Sequence, residues 1–302
     1  MKRLLILFLI ISQIAEAQEH VAFLDVAASY EEVDESPYLN SIVMPFKMIE
    51  GMMLVEATMN NVQGNYIIDT GAPTLVINGQ PTQSTTQGRG ISQGLVTAEM
   101  KVQAFKWAGI ERENLFAFQV DISHLEAVSG EKIAGIIGYD ILKEVELLVD
   151  YSTQSIQLSA TKRKGTYQKK PVTTIPFVMQ EHLPVIKVKI GNKKLRLALD
   201  TASESNILDA GIYKKLSKAT FKNTVKGELQ GVDQQVKQVM ISTISETIIK
   251  GLPFTDMKYL FTDLGHLKKE SGLYIDGLLG YPFFKQGKMS INYQERKIYV
   301  WE

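Results

Sequence analysis

The chain has 302 residues, 45% hydrophobic and 22% charged, which suits one large globular unit or two ordinary domains. Lys plus Arg and Asp plus Glu balance at 33 each, so a nucleic-acid-binding surface is not indicated. There is no cysteine, which excludes disulfides and a cysteine-borne lipid anchor.

In chain order, Met1-Lys2-Arg3 is a short basic start, residues 4–11 (LLILFLII) are an unbroken apolar run, and Ala15-Glu16-Ala17 is a small-x-small site. Together these predict a secretory signal peptide over 1–17, cut after Ala17, and an exported protein, periplasmic or secreted. The apolar run is far below the roughly 20 residues that span a bilayer, so no membrane anchor is expected in the mature chain. Without residues 1–17 the chain keeps 31 basic and 32 acidic residues. Residues 18–40 form an acidic segment with Glu19, Asp25, Glu31, Glu32, Asp34 and Glu35 and no Lys or Arg. That segment therefore offers no basic side chain to pair with acids elsewhere in the chain.

The remainder repeats itself. Pro45-Phe46 recurs as Pro176-Phe177, Ile68-Asp69-Thr70 as Leu199-Asp200-Thr201, and Val76-Ile77 as Ile207-Leu208, all at one ungapped offset of 131. A second block recurs at an offset of 142: residues 133–139 (IAGIIGY) match 275–281 (IDGLLGY), and Asp150-Tyr151 matches Asn292-Tyr293. The spacing predicts two similar lobes, 41–160 and 173–302, joined by a basic, solvated linker at 161–172. Alternation in Val55-Glu56-Ala57-Thr58-Met59 and Ile186-Lys187-Val188-Lys189-Ile190 reads as half-buried strands. Turn residues Asn60-Asn61 and Gly191-Asn192 follow them. Helices are expected to be few and short, with 139–146 and 210–219 the best candidates.

In each copy an apolar strand delivers an acid into a tight turn, Ile68-Asp69-Thr70-Gly71-Ala72 and Leu199-Asp200-Thr201-Ala202-Ser203. One such segment alone reads as an ordinary turn. Two of them, in lobes related by a pseudo-two-fold axis, can bring their acids together at the axis. Carboxylates that close cannot both ionise readily and share a proton, which is the basis of acid–base catalysis by a coupled pair.

These segments, with Gly135-Ile136-Ile137-Gly138 and Gly277-Leu278-Leu279-Gly280, resemble the active-site triplet and the later hydrophobic-hydrophobic-Gly element of aspartic proteases. Both copies in one chain resemble the pepsin-like arrangement, whereas the Asp-Thr-Gly-Ala wording is closer to retropepsins. The resemblance covers about residues 41–302. It implies a mainly β protein of two homologous β-barrel lobes of the acid-protease fold, with few short helices. Asp69 and Asp200 would be the catalytic dyad, and water the nucleophile. Thr70 and Thr201 would hydrogen-bond across to the opposite lobe, and Gly71 and Ala202 would support the dyad. The two Gly-x-x-Gly elements would pack beneath the active-site loops. A peptide or protein substrate would lie extended in the cleft between the lobes of a monomer, with no metal and no cofactor.

Three departures accompany the resemblance. Ala202 stands where the family has glycine, and alanine is tolerated there only if φ is negative. Residues 78–106 hold no tyrosine to serve as a pepsin-like flap residue, while 87–94 resemble a glycine-rich flap hairpin with a counterpart at 227–231. The acidic 18–40 segment is the third. A weakened or inactive peptide-binding protein is the alternative reading, and a retropepsin-style homodimer a weaker one. The recurring Asp121/His124 and Asp263/His266 read as a shared structural turn rather than metal ligands.

Overall fold

Period-2 patterning decides most of the architecture, and the structure belongs to the mainly β class, with only a few short helices among the described residues. The computed structural model describes residues 6–7, 41–81, 86–89, 93–161, 169–231, 236–265, 267 and 272–302. The expected leader and acidic segment thus lie outside the described residues apart from the two-residue strand Ile6–Leu7. Most of the linker lies outside them as well.

Each half folds the same way. In the first, strand Met52–Met59 pairs with Val62–Ile68, which runs parallel to Gly135–Ile137. Gly135–Ile137 lies antiparallel to Leu75–Asn78, and that strand runs parallel to Ile110–Val120. Ile110–Val120 pairs with Gln93–Trp107, which returns to Met52–Met59 through Thr58 opposite Lys106 and Met59 opposite Phe105, closing a six-strand barrel. In the second half Leu183–Ile190, Lys193–Leu199, Gly277–Leu279, Asn206–Asp209, Leu252–Thr262 and Val236–Ile249 repeat the order, and Val188 opposite Ile249 closes the ring.

A third, six-stranded sheet joins the halves, in the order Thr173–Pro176, Lys297–Trp301, Lys288–Asn292, Val145–Asp150, Ser155–Ala160, Ser41–Pro45. It reads the same from either end, because each strand and its mirror image are repeat partners. At its centre Leu148 stands opposite Ser290, positions related by the 142-residue offset, so the pseudo-two-fold axis passes between them. Both halves of the chain contribute three strands each to this sheet. Buried Glu146 accepts hydrogen bonds there from Ser290 Oγ (2.5 Å) and Asn292 Nδ2 (2.9 Å).

Two helix boundaries differ from expectation. The helix expected over 139–146 stops at Leu142, because Val145–Asp150, buried at every position, is the strand that joins the lobes. The stretch expected as one helix over 210–219 is split into Ala210–Tyr213 and the 3₁₀ turn Lys218–Thr220. In both cases tertiary pairing overrides a weak local preference. Of the hairpin expected over 87–94, residues 90–92 lie outside the described residues; on either side of them Thr86–Arg89 runs antiparallel to Gln93–Trp107, and in the second half Phe221–Gly231 pairs in the same way with Val236–Ile249.

Candidate active site

Strands Val62–Ile68 and Lys193–Leu199 are apolar and buried at their ends, so each drives the acid that follows it into the interior. Asp69 and Asp200 are both 0% exposed. Each is held from below: Asp69 N–H donates to Ile137 O and Asp200 N–H to Leu279 O, both at 3.0 Å. Gly71 N–H donates to Asp69 Oδ1 at 2.6 Å, and Ala202 N–H donates to Asp200 Oδ1 at 3.1 Å. Gly138 and Gly280 cradle these loops. A Cβ on Gly138 would stand 2.3 Å from Thr74 O, and one on Gly280 2.3 Å from Ser203 O, so only glycine admits the close approach. Tyr139 N–H and Tyr281 N–H then donate to Ala72 O and Ser203 O.

The threonines cross the interface. Thr70 Oγ1 donates to Leu199 O (3.2 Å) and accepts from Thr201 N–H (3.1 Å); Thr201 Oγ1 donates to Ile68 O (3.0 Å) and accepts from Thr70 N–H (3.1 Å). Four reciprocal bonds, all buried, lock the turns face to face. Neither Gly71 nor Ala202 has a positive φ. The alanine is therefore unstrained, and it is buried as part of a core cluster otherwise drawn from the first lobe.

The lock sets the two carboxylates near enough that each affects the other's ionisation. Burial raises both pKa values above the ordinary carboxylate range. The negative charge of Asp69 pushes Asp200 up further, while the backbone N–H groups of the turns pull both back. Such a pair holds one proton between its members across the intermediate pH range. Beneath it lies an aromatic floor built by exchange between lobes: Tyr139 meets Tyr293 edge-on at 5.1 Å, and Tyr151 meets Tyr281 at 5.2 Å. Burial, then the neighbouring tyrosine, then Asp200 or Asp69 keep the Tyr151 and Tyr293 phenols protonated.

All six residues singled out in the sequence thus converge on one point. Asp121 is a structural residue: its carboxylate accepts from Ser123 N–H (3.0 Å) and Ser123 Oγ (2.6 Å) where the helix Ser123–Ser129 begins. Asp263 accepts from Gly265 N–H in the same way (2.8 Å), and His266 lies outside the described residues. No group of three or more potential metal ligands occurs among the described residues. Sequence reasoning missed His182, whose Nε2 lies 2.8 Å from Gly71 O across the lobe boundary. The available signal was a mismatch in the repeat, since the equivalent position 51 is glycine.

The two barrels and the sheet that joins them thus bring one acid turn from each half face to face at the pseudo-two-fold axis. Residues 186–283, which carry Asp200 and Gly277–Leu279, match the aspartyl protease family model. This match supports placing the chain in the aspartic protease clan. Comparison with curated proteins gave no match.

Proposed function

We propose that this protein is an aspartic endopeptidase in which Asp69 and Asp200 activate a water to hydrolyse a peptide bond. The observation that carries the reading is the pair of buried aspartates at the ends of equivalent strands, in turns that Thr70 and Thr201 lock face to face. With one proton between them, the ionised member takes a proton from water, and the protonated member donates to the scissile carbonyl oxygen. That oxygen becomes the hydroxyl of a tetrahedral gem-diol, which collapses as the amine leaves with a proton. No covalent enzyme intermediate is required.

The negative φ at Ala202 favours an active pair over a decayed one, because alanine there leaves the turn undistorted. A peptide laid between the lobes would present its backbone to the hairpins 86–107 and 221–249. The predicted leader supports action outside the cytoplasm, and a mature chain beginning at Gln18 in intact-mass analysis of exported protein would support that assignment.

The test is cleavage of a mixed peptide pool by purified protein across pH, with and without pepstatin. Asp69→Asn and Asp200→Asn should each lower the rate at least about 10²–10⁴-fold with the fold kept. Retained cleavage in either variant would refute the dyad mechanism. Saturable peptide binding without cleavage would instead support the non-catalytic reading.

A further inference from the structure

His182 sits in the turn before strand Leu183–Ile190 and is 6% exposed. Its partner, the Gly71 carbonyl, lies 111 residues away in the other lobe, in the turn that carries Asp69. A carbonyl oxygen only accepts, so Nε2 bears the hydrogen and donates it. Burial lowers the imidazole pKa to about 4, against the opposing effects of the Gly71 carbonyl and the Asp140 charge, so the ring is neutral at ordinary pH.

The peptide unit between Gly71 and Ala72 has two working ends. Its C=O is held by His182. Its N–H, that of Ala72, lies 3.4 Å from the main-chain oxygen of Asp69 and also stabilises the charge on the Asp69 carboxylate. A carbonyl that accepts a hydrogen bond polarises its amide and strengthens the N–H as a donor. His182 therefore acts on Asp69 through one peptide plane. In the second lobe Ser203 N–H faces Asp200 in the same way. The residue placed to support that peptide would be position 51, which is glycine. It has no side chain to offer, and a Cβ there would come within 3.0 Å of Glu204 Cα.

We propose that His182 is a positioning residue that breaks the symmetry of the pair: by holding the Gly71–Ala72 peptide it favours the negative charge on Asp69 and leaves the shared proton on Asp200. Asp69 then takes the proton from water, and Asp200 donates its proton to the scissile carbonyl oxygen. The catalytic meaning rests on the endopeptidase reading, but the charge asymmetry does not need turnover to be seen.

The experiment follows carboxyl ¹³C shifts through a pH titration of protein labelled at aspartate, in single-acid backgrounds. In the D200N background, where Asp69 titrates alone, His182→Leu should move the pH at which Asp69 ionises upward by roughly half to one pH unit. In the D69N background the same change should leave Asp200 unmoved. His182→Gln, whose amide can present a donor where Nε2 stands, should leave both in place. If the wild type cleaves peptides, the acid limb of its kcat/KM profile should move upward in H182L by a similar amount and stay put in H182Q. A folded H182L with an unmoved Asp69, or with both acids shifted alike, overturns the proposal. If H182L does not fold, H182Q decides: an Asp69 step displaced in that variant overturns it, and an unmoved one supports it. A wild type that cuts nothing refutes the endopeptidase reading, while the titrations still judge the asymmetry.

Discussion

Residues 41–160 carry 7 basic and 13 acidic side chains, whereas residues 173–302 carry 19 and 13. The first hairpin of each lobe shows how that difference is laid out. In lobe one Glu56 stands opposite Asn65 and Thr58 opposite Gln63, and Gln63 Nε2 donates to Glu56 Oε2 at 2.9 Å. In lobe two the same positions set Lys187 opposite Arg196 and Lys189 opposite Lys194, like charges across an exposed pair of strands. A few residues further along, both hairpins end in an aspartate with the same backbone contacts. Inside the barrel geometry leaves no latitude, while the outer face can change sign without moving a strand.

The largest effects should come from breaking what the lobes share. Gly138→Ala or Gly280→Ala forces a methyl against two carbonyl oxygens and should cost about 3 kcal/mol or more in urea unfolding. Similar losses from both would show that the two loops are equally tight. Thr70→Ala and Thr201→Ala each remove a hydroxyl that donates once and accepts once across the interface. Each should cost about 1–3 kcal/mol, with serine at either position restoring most of it.

A smaller effect follows from the dyad itself. Folding raises the carboxyl pKa of Asp200, so the native state binds the proton more tightly than the unfolded chain. Its contribution is therefore fully favourable below the unfolded value near pH 4 and is lost as pH rises towards the folded one. Asp200→Asn removes that loss. Its melting temperature should exceed the wild type's by roughly 2–6 °C at neutral pH, and the gap should close at acid pH. A gap that widened on acidification would contradict the raised pKa. Smallest of all, Lys187→Glu gives lobe two the acid that lobe one carries at position 56. By pairing with Arg196 it should add about 0.2–1 kcal/mol in thermal unfolding, less at high salt.

Much of this was readable in advance because its determinants are local. The two acid turns and the Gly-x-x-Gly elements recur without internal gaps, and each encodes its own conformation. The crossing of Thr70 and Thr201 followed from the resemblance once the acids were paired. The end of the helix at Leu142 was not readable, because Val145–Asp150 becomes a strand only when Lys288–Asn292 arrives from the other half. The conformation of Ala202 depends on a turn that sequence alone leaves open. His182 was invisible for a different reason: it acts on a main-chain carbonyl, and a carbonyl leaves no side-chain signature at Gly71.

The sheet beneath the lobes has a bearing on partner choice. Its central register maps onto itself under the axis, so by backbone alone either half could dock on its own twin. Its side chains forbid this. Two copies of the first half in that register would set Glu146 against Asp150 twice over, acid upon acid. The mixed pairing instead gives Glu146 the Asn292 amide at 2.9 Å and gives Asp150 the Lys288 ammonium at 3.4 Å. Duplication supplied matching edges, and divergence then made the first half reject its twin and accept its sister.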